Sequence, residues 1–201
     1  MTQLSGAVVL VTGANRGLGK ALVLGLLKTD PRKIYAGARN PQSAAELAAL
    51  DPARIVPLHV DVTDRKLIET LPAKAADVTV LINNAGTLAA GSLLTLPLDL
   101  IERDLNTNFF GMLLMARAIA PIIARNGGGA IVNVLTPLAL ASMPRQAAYS
   151  ASKAAALSMT QALRADLSAK NIAVGEWRLL FRSCRHRASG SRNRDCPHQK
   201  R

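Results

Sequence analysis

Val8-Val9-Leu10-Val11-Thr12-Gly13-Ala14-Asn15-Arg16-Gly17-Leu18-Gly19 is the stretch that decides the fold. Residues 7–12 are a short apolar run rich in β-branched side chains, the pattern of a buried strand. A helical pattern follows through Ala21, Leu22, Leu24, Leu26 and Leu27. Strand, glycine-rich turn and helix bring backbone N–H groups and a helix N-terminus to one place, which suits a pyrophosphate. The spacing here is Gly-x3-Gly-x-Gly rather than the commoner Gly-x-Gly-x-x-Gly. A plain turn is the other reading of such a loop taken alone.

Strands and helices then alternate. Strands are expected at 33–38, 54–60, 78–82, 130–135 and 172–174, and helices at 43–50, 64–71, 98–125 and 148–170. Apolar strands alternating with helices build parallel βαβ units, so the expectation is an α/β, Rossmann-type, doubly wound sheet between two helical layers. The helix at 98–125 has too many apolar residues for one stripe, so it is expected to be buried or to meet a second copy of the chain. The helix at 148–170 is rich in Ala, which suits close helix–helix packing, again within the fold or between copies.

Ligands bind outside the carboxyl ends of strands in such sheets. An NAD site commonly places an acid about 20 residues past the glycines, at the end of the second strand. This chain has Arg39 there and Arg16 inside the glycine loop. Two guanidinium groups fit a ribose 2′-phosphate, which favours NADP and leaves NAD as the second choice. The competing reading is two ordinary surface arginines. Asp64, after the third strand, reads as a helix cap, and His59 as a packed strand residue. Tyr149 and Lys153 stand four apart on the last helix, one above the other. An ammonium beside a phenol lowers its pKa from about 10 toward neutrality and makes it a usable proton donor and acceptor. By itself Tyr-x3-Lys is also a common solvated helix face.

The 201 residues are enough for one domain, and with 3% aromatics the core must be aliphatic. No membrane span is expected: the apolar run at 109–116 is stopped by Arg117. The start of the chain lacks the basic region of a signal peptide, so a cytoplasmic protein is the expectation. The net charge of +12 raises nucleic acid as a partner, but half of the excess lies in residues 175–201, where eight Lys and Arg face two acids. That segment offers few aromatics to interleave with its cations, so nucleic acid is set aside. Cys184, His186, Cys196 and His198 fit no common zinc spacing, and no metal is expected.

With these residues assembled, the chain resembles the short-chain dehydrogenase/reductase family over residues 6–174. The resemblance rests on Thr12-Gly13-x3-Gly17-x-Gly19, Asp61-Val62, Asn83-Asn84-Ala85-Gly86, Asn108, and Tyr149 with Lys153. It implies an NAD(P)-dependent oxidoreductase that interconverts a carbonyl and an alcohol by hydride transfer. The implied catalytic residues are Asn108, Thr136, Tyr149 and Lys153. The implied cofactor contacts are Gly13, Asn15, Arg16, Gly17, Leu18, Gly19, Arg39, Asp61, Val62, Asn83, Ala85 and Gly86, with Tyr149 and Lys153. In that scheme Lys153 lowers the Tyr149 pKa and bonds the nicotinamide ribose, while Asn108 bends its helix and holds a water.

The chain departs from the family pattern twice. Thr136 stands where the family has Ser; it keeps the hydroxyl but stiffens the side chain. From Gly175 the sequence turns Arg-, Ser- and Cys-rich, and 7 of its last 27 residues are apolar, too few for a core strand and helix. It reads as a frameshifted or truncated ending, so residues 1–174 are expected as the dinucleotide-binding domain and 175–201 as a basic, disordered tail. A catalytically impaired protein that still binds dinucleotide is therefore the alternative function. Residues 88–98 and 138–144 would line an apolar pocket for a small carbonyl or alcohol.

Overall fold

The computed structural model describes residues 4–178. Six strands, β1 (Val8–Thr12), β2 (Lys33–Ala38), β3 (Ile55–His59), β4 (Val80–Asn83), β5 (Gly129–Leu135) and β6 (Ile172–Arg178), form one sheet. All pairs are parallel and the order is β3-β2-β1-β4-β5-β6. Side chains alternate across the sheet: Val8 and Leu10 join one core cluster, Val9 and Val11 the other. On the first face lie α3 (Arg65–Lys74), α5 (Gly111–Arg125) and α6 (Ala147–Ser168), which bury Ile68, Leu71, Met115, Ile119 and Leu167. On the second lie α1 (Gly17–Leu27) and α2 (Ala45–Ala49), which bury Val23, Leu26 and Leu47. This is the doubly wound three-layer fold expected from the sequence.

The chain turns one way from β1 to β3 and the other way from β4 to β6. The switch point lies between β1 and β4, whose carboxyl ends are Thr12 and Asn83. A crevice opens outside them for topological reasons.

Several boundaries differ from the expectation. The helix over 98–125 is α4 (Leu98–Leu105), a wider π turn (Asn106–Phe110) and α5. Leu98–Arg125 is long and apolar enough to cross a membrane by length and composition, but Met112, Met115, Ile119, Ile122 and Ile123 are buried in the core. At 43–50 the helix is a 3-10 turn (Pro41–Ala44) followed by short α2, because the Asn40 side chain accepts the Gln42 N–H and Pro41 fixes the first turn. Asp64 caps α3 as expected, accepting the Leu67 N–H at 3.0 Å. His59 is exposed rather than packed, since it ends an edge strand.

The domain boundary at 174 also needs correction. β6 continues four residues further, with Gly175 beside Val132 and Arg178 beside Leu135. The physical reason is the open edge of β5, which supplies backbone partners along its whole length. Arg164 of α6 reinforces this, donating Nε–H to the Val174 carbonyl at 3.0 Å and meeting Glu176 at 2.7 Å. The remainder of the expected tail, including both cysteines and their neighbouring histidines, lies outside the described residues.

Gly111 lets α5 approach the loop after β3. A Cβ built there would stand 2.8 Å from Val62 Cγ2 and 3.1 Å from the Val62 carbonyl. Alanine favours a helix by about 1 kcal/mol over glycine, whereas overpacking costs about 1–3 kcal/mol. Gly111→Ala should therefore be destabilising by about 1 kcal/mol net, as measured by urea unfolding.

Candidate active site

Thr12 and Gly13 leave β1 at the switch point and are clasped to the end of β4. Thr12 Oγ1 accepts the N–H groups of Asn84 and Ala85, each at 3.0 Å. The Asn84 amide donates back to the Thr12 and Gly13 carbonyls at 2.9 and 3.2 Å. Gly13 has φ +65° with its Cα packed on Ala85, a geometry a side chain would disrupt. A Cβ at Gly19 would strike the Gly13 carbonyl, so the start of α1 sits directly on the turn. By contrast a Cβ at Gly17 would meet nothing within 4 Å: it faces open cleft.

Two connected clefts result. The larger, about 650 Å³, runs over Gly13, Asn15, Arg16, Gly17, Leu18 and Gly19, past Arg39, Asp61 and Val62, to Ala85 and Gly86. The smaller, about 230 Å³, is lined by Leu88, Val134, Leu135, Thr136, Tyr149 and Lys153. They share Leu18, Asn84, Gly86 and Thr87. One elongated crevice thus has a glycine turn and arginines at one end and a phenol, a hydroxyl and an amine at the other.

Most of the residues singled out from the sequence therefore line the crevice; Asn83 and Asn108 do not, and one lining residue was not among them. Asn83 is 1% exposed and points into the core, where its amide donates to Asn133 Oδ1 at 2.9 Å. Strand alternation turns it away from the crevice. Its neighbour Asn84, not singled out, lines both clefts and makes the clasp. Asp61 lines the larger cleft with its carboxylate engaged by the Thr63 N–H and hydroxyl at 2.9 and 2.7 Å. Arg16 and Arg39 are exposed on the cleft, and among the described residues neither has an ion-pair partner. No cluster of three metal-ligating side chains occurs among the described residues.

Asn108 sits inside the π turn and is fully buried. Its Oδ1 accepts the Thr87 N–H at 2.9 Å, and its amide donates to the Thr87 carbonyl and to Ser152 Oγ at 2.8 and 2.9 Å. Ser152 in turn donates to the Tyr149 carbonyl at 2.7 Å. Both amide hydrogens are thus spent inside the protein, so the Asn108 side chain has none to give a water. Thr136 is 2% exposed, and its Oγ1 accepts the Leu138 N–H at 3.3 Å, leaving the hydroxyl hydrogen to donate.

The electrostatics of the Tyr149–Lys153 pair differ from the expectation. Lys153 Nζ donates to the Val134 carbonyl at 3.0 Å and stands 5.9 Å from the Tyr149 ring centroid. Burial pushes the amine down to about 8, with Asp104 opposing. Burial pushes the Tyr149 phenol up, and the Asp104 charge adds to that rise. In the free protein desolvation, with the Asp104 charge beside it, thus raises Tyr149 rather than lowering it.

A model of the short chain dehydrogenase family matches residues 7–178. The NADP-dependent 3-hydroxy acid dehydrogenase of Schizosaccharomyces pombe is 34% identical over 185 residues, covering 88% of this chain and 71% of that one. The NAD-dependent glycerol dehydrogenase of Listeria innocua is 31% identical, covering 83% and 67%. A solved short chain dehydrogenase from Burkholderia cenocepacia, in complex with NADP, superposes with TM-score 0.80 at 40% identity, covering 89% and 73%. The chain belongs to the short-chain dehydrogenase family.

The depressed Lys153 gives a signed stability effect. Below pH 8 the ammonium is charged in both states, and its burial weakens the fold in full. Between about 8 and the ordinary lysine value of about 10.4 the unfolded chain binds more protons, so this contribution to stability rises with pH. Lys153→Met removes the titration. The stability of the parent relative to the variant should increase by about 3 kcal/mol between pH 7 and 11, read as paired urea unfolding curves. A difference that stays constant with pH would show that the amine is not depressed.

Proposed function

We propose that the protein is an NADP(H)-dependent oxidoreductase that interconverts a carbonyl and an alcohol, with Tyr149 as proton donor and acceptor. The observation that carries this reading is the continuous crevice. Its open glycine turn and two guanidinium groups, which have no ion-pair partner among the described residues, lie at one end, and Tyr149, Thr136 and Lys153 at the other. The empty space over Gly17 and the N–H-rich turn fit a pyrophosphate, and Arg16 and Arg39 fit a 2′-phosphate. Gly13, Asn15, Leu18, Gly19, Asp61, Val62, Asn84, Ala85 and Gly86 would complete the holding surface. The S. pombe relative, named NADP-dependent, and the NADP-bound neighbour support the same cofactor. NAD remains the second choice, supported by the name of the Listeria relative.

A nicotinamide held along this crevice would supply the hydride. In the reducing direction the Tyr149 hydroxyl gives its proton to the substrate oxygen as the C=O π bond becomes a C–O single bond. The Thr136 hydroxyl donates a hydrogen bond to that oxygen. The Lys153 ammonium steadies the phenolate left behind, which solvent reprotonates. In the oxidising direction the phenolate takes the alcohol proton. Asn108 holds Thr87 and, through Ser152, the backbone of Tyr149.

An apolar substrate is part of the reading. Leu88 and Leu135 line the smaller cleft, and exposed Leu93, Leu94, Leu140 and Met143 stand on the two loops around it. These loops are joined by the Gly91 N–H bonding the Arg145 carbonyl at 2.8 Å. Self-association through helices 98–125 and 148–170 also belongs to it, supported by exposed Leu98 and Phe110.

The test is titration with NADPH and NADH, followed by a panel of apolar carbonyls scored by loss of nicotinamide absorbance. NADPH should bind more tightly; equal affinities would remove the case for a phosphate site. Arg39→Asp removes a charge-assisted bond, about 1.5–3 kcal/mol, and should weaken NADPH roughly ten- to a hundredfold while sparing NADH. Tyr149→Phe should lower turnover by roughly 10²–10⁴-fold and leave NADPH affinity within a few fold. Retained turnover in that variant would mean that the proton comes from another group.

A further inference from the structure

Asp104 lies in the last turn of α4, four residues before Asn108, and is fully buried. A buried carboxylate is expensive unless its oxygens are bonded. Here Oδ1 accepts the Thr87 hydroxyl and Oδ2 the Ala89 N–H, each at 2.7 Å. Arg103 lies 3.6 Å from Oδ1 with its side chain about half exposed. Asn108 grips the backbone of the same Thr87 through its N–H and its carbonyl. Thr87 is therefore held at three polar atoms by two residues of one helix. Thr87 also lines both clefts at their junction.

We propose that Asp104 is a positioning residue for the reaction. It fixes Thr87 and the segment to Ala89 between the two clefts, and its buried carboxylate, bonded to the Thr87 hydroxyl, acts as a negative charge on the Tyr149–Lys153 pair that lines the smaller cleft beside Thr87. This rests on the function proposed above. The same charge acts on both members of the pair, favouring the protonated phenol and the protonated amine.

α4 brings Arg103 together with exposed Asp99 and Glu102, and the glycine loop brings exposed Arg16. The loop before α6 brings Arg145, also exposed. α5 brings exposed Arg117 and Arg125, α6 itself exposed Asp166, and β6 brings Glu176, bonded to Arg164 eleven residues along α6 from Lys153. The π turn, the ends of β4 and β5 and the 3-10 turn after β5 bring no ionisable side chain.

The chain has two tyrosines, so in a Tyr35→Phe background Tyr149 is the one phenol. Its ultraviolet titration is followed with and without Asp104→Asn, with circular dichroism reporting that the fold persists. Removing the charge should lower the phenol midpoint by about 0.5–1 pH unit. The alkaline limb of kcat/KM for carbonyl reduction by NADPH should move down by the same amount, since both groups lose protons earlier. Thr87→Val keeps the charge and breaks one bond; it should lower kcat several-fold without moving either midpoint, and Thr87→Ser should restore it. If the parent reduces no carbonyl, the function proposed above fails, while the phenol titration still decides the role of Asp104. A midpoint unchanged by Asp104→Asn overturns the proposal. Asp104→Ser is the second charge-free variant, and a chain that folds with neither would make Asp104 a scaffold residue and overturn the proposal equally.

Discussion

The clasp between Thr12-Gly13 and Asn84-Ala85 is the constraint on which the site depends. A doubly wound sheet has a crevice at its switch point by topology, but topology does not fix its walls. Two strand ends there would otherwise leave several backbone groups unpaired in a half-buried place. The Thr12 hydroxyl and the Asn84 amide satisfy four of them at once. The Thr12 and Gly13 carbonyls are thereby held inward and the Ala14 N–H is spent on the Gly37 carbonyl, so a ligand is left the N–H groups from Asn15 onward. The residue types follow from the geometry: a small hydroxyl on one strand end, an amide with two donors on the other, and no Cβ where the two backbones and α1 meet.

At the opposite end of the crevice the problem is different. α4 and α5 must be continuous, yet the first half has to present Asp104 of α4 with Thr107 and Asn108 of the π turn to the core, and α5 has to present Met112, Met115 and Ile119. The π turn inserts an extra residue between them. One residue rotates the helix face by about 100°, enough to exchange a polar interior stripe for an apolar one without breaking the helix. The polar stripe is what grips Thr87, so the wider turn is a consequence of where the site lies.

The fold was legible in the sequence because strands buried on both faces read as apolar runs, and because glycine turns punctuate them. The ends of elements were less legible. β6 runs past Val174 although Gly175, Glu176 and Trp177 form no apolar run, because the free edge of β5 and Arg164 favour pairing there. Those partners are remote in sequence. Asn84 was passed over for Asn83 because two adjacent asparagines look alike until the strand phase is known. Counting alternation forward from Leu81 puts Asn83 on the same sheet face, where it meets Asn133 of the neighbouring strand. Asp104 was hidden among Asp99, Glu102 and Arg103; the detectable signal was polar Asp104, Thr107 and Asn108 at helical spacing, ahead of Gly111. The direction of the Tyr149 shift was misread because a pairwise argument has no burial in it.

Burial also explains how the two ends of the crevice act together. Asn84, Gly86 and Thr87 form a wall common to both clefts, held on one side by Thr12 and on the other by Asn108 and Asp104. A Cβ at Gly86, in their middle, would stand 3.0 Å from Asn108 Oδ1 and 3.8 Å from Lys153 Nζ, so a side chain there would push on Asn108. A shift of this segment would loosen the glycine turn and, through Asn108 and Ser152, the helix carrying Tyr149. Ligand holding and proton transfer therefore share one rigid backbone segment. The amine depressed to about 8 belongs to the same economy of space: Lys153 gives up water for the Val134 carbonyl, and the acid that opposes its deprotonation comes from the helix that fixes the wall.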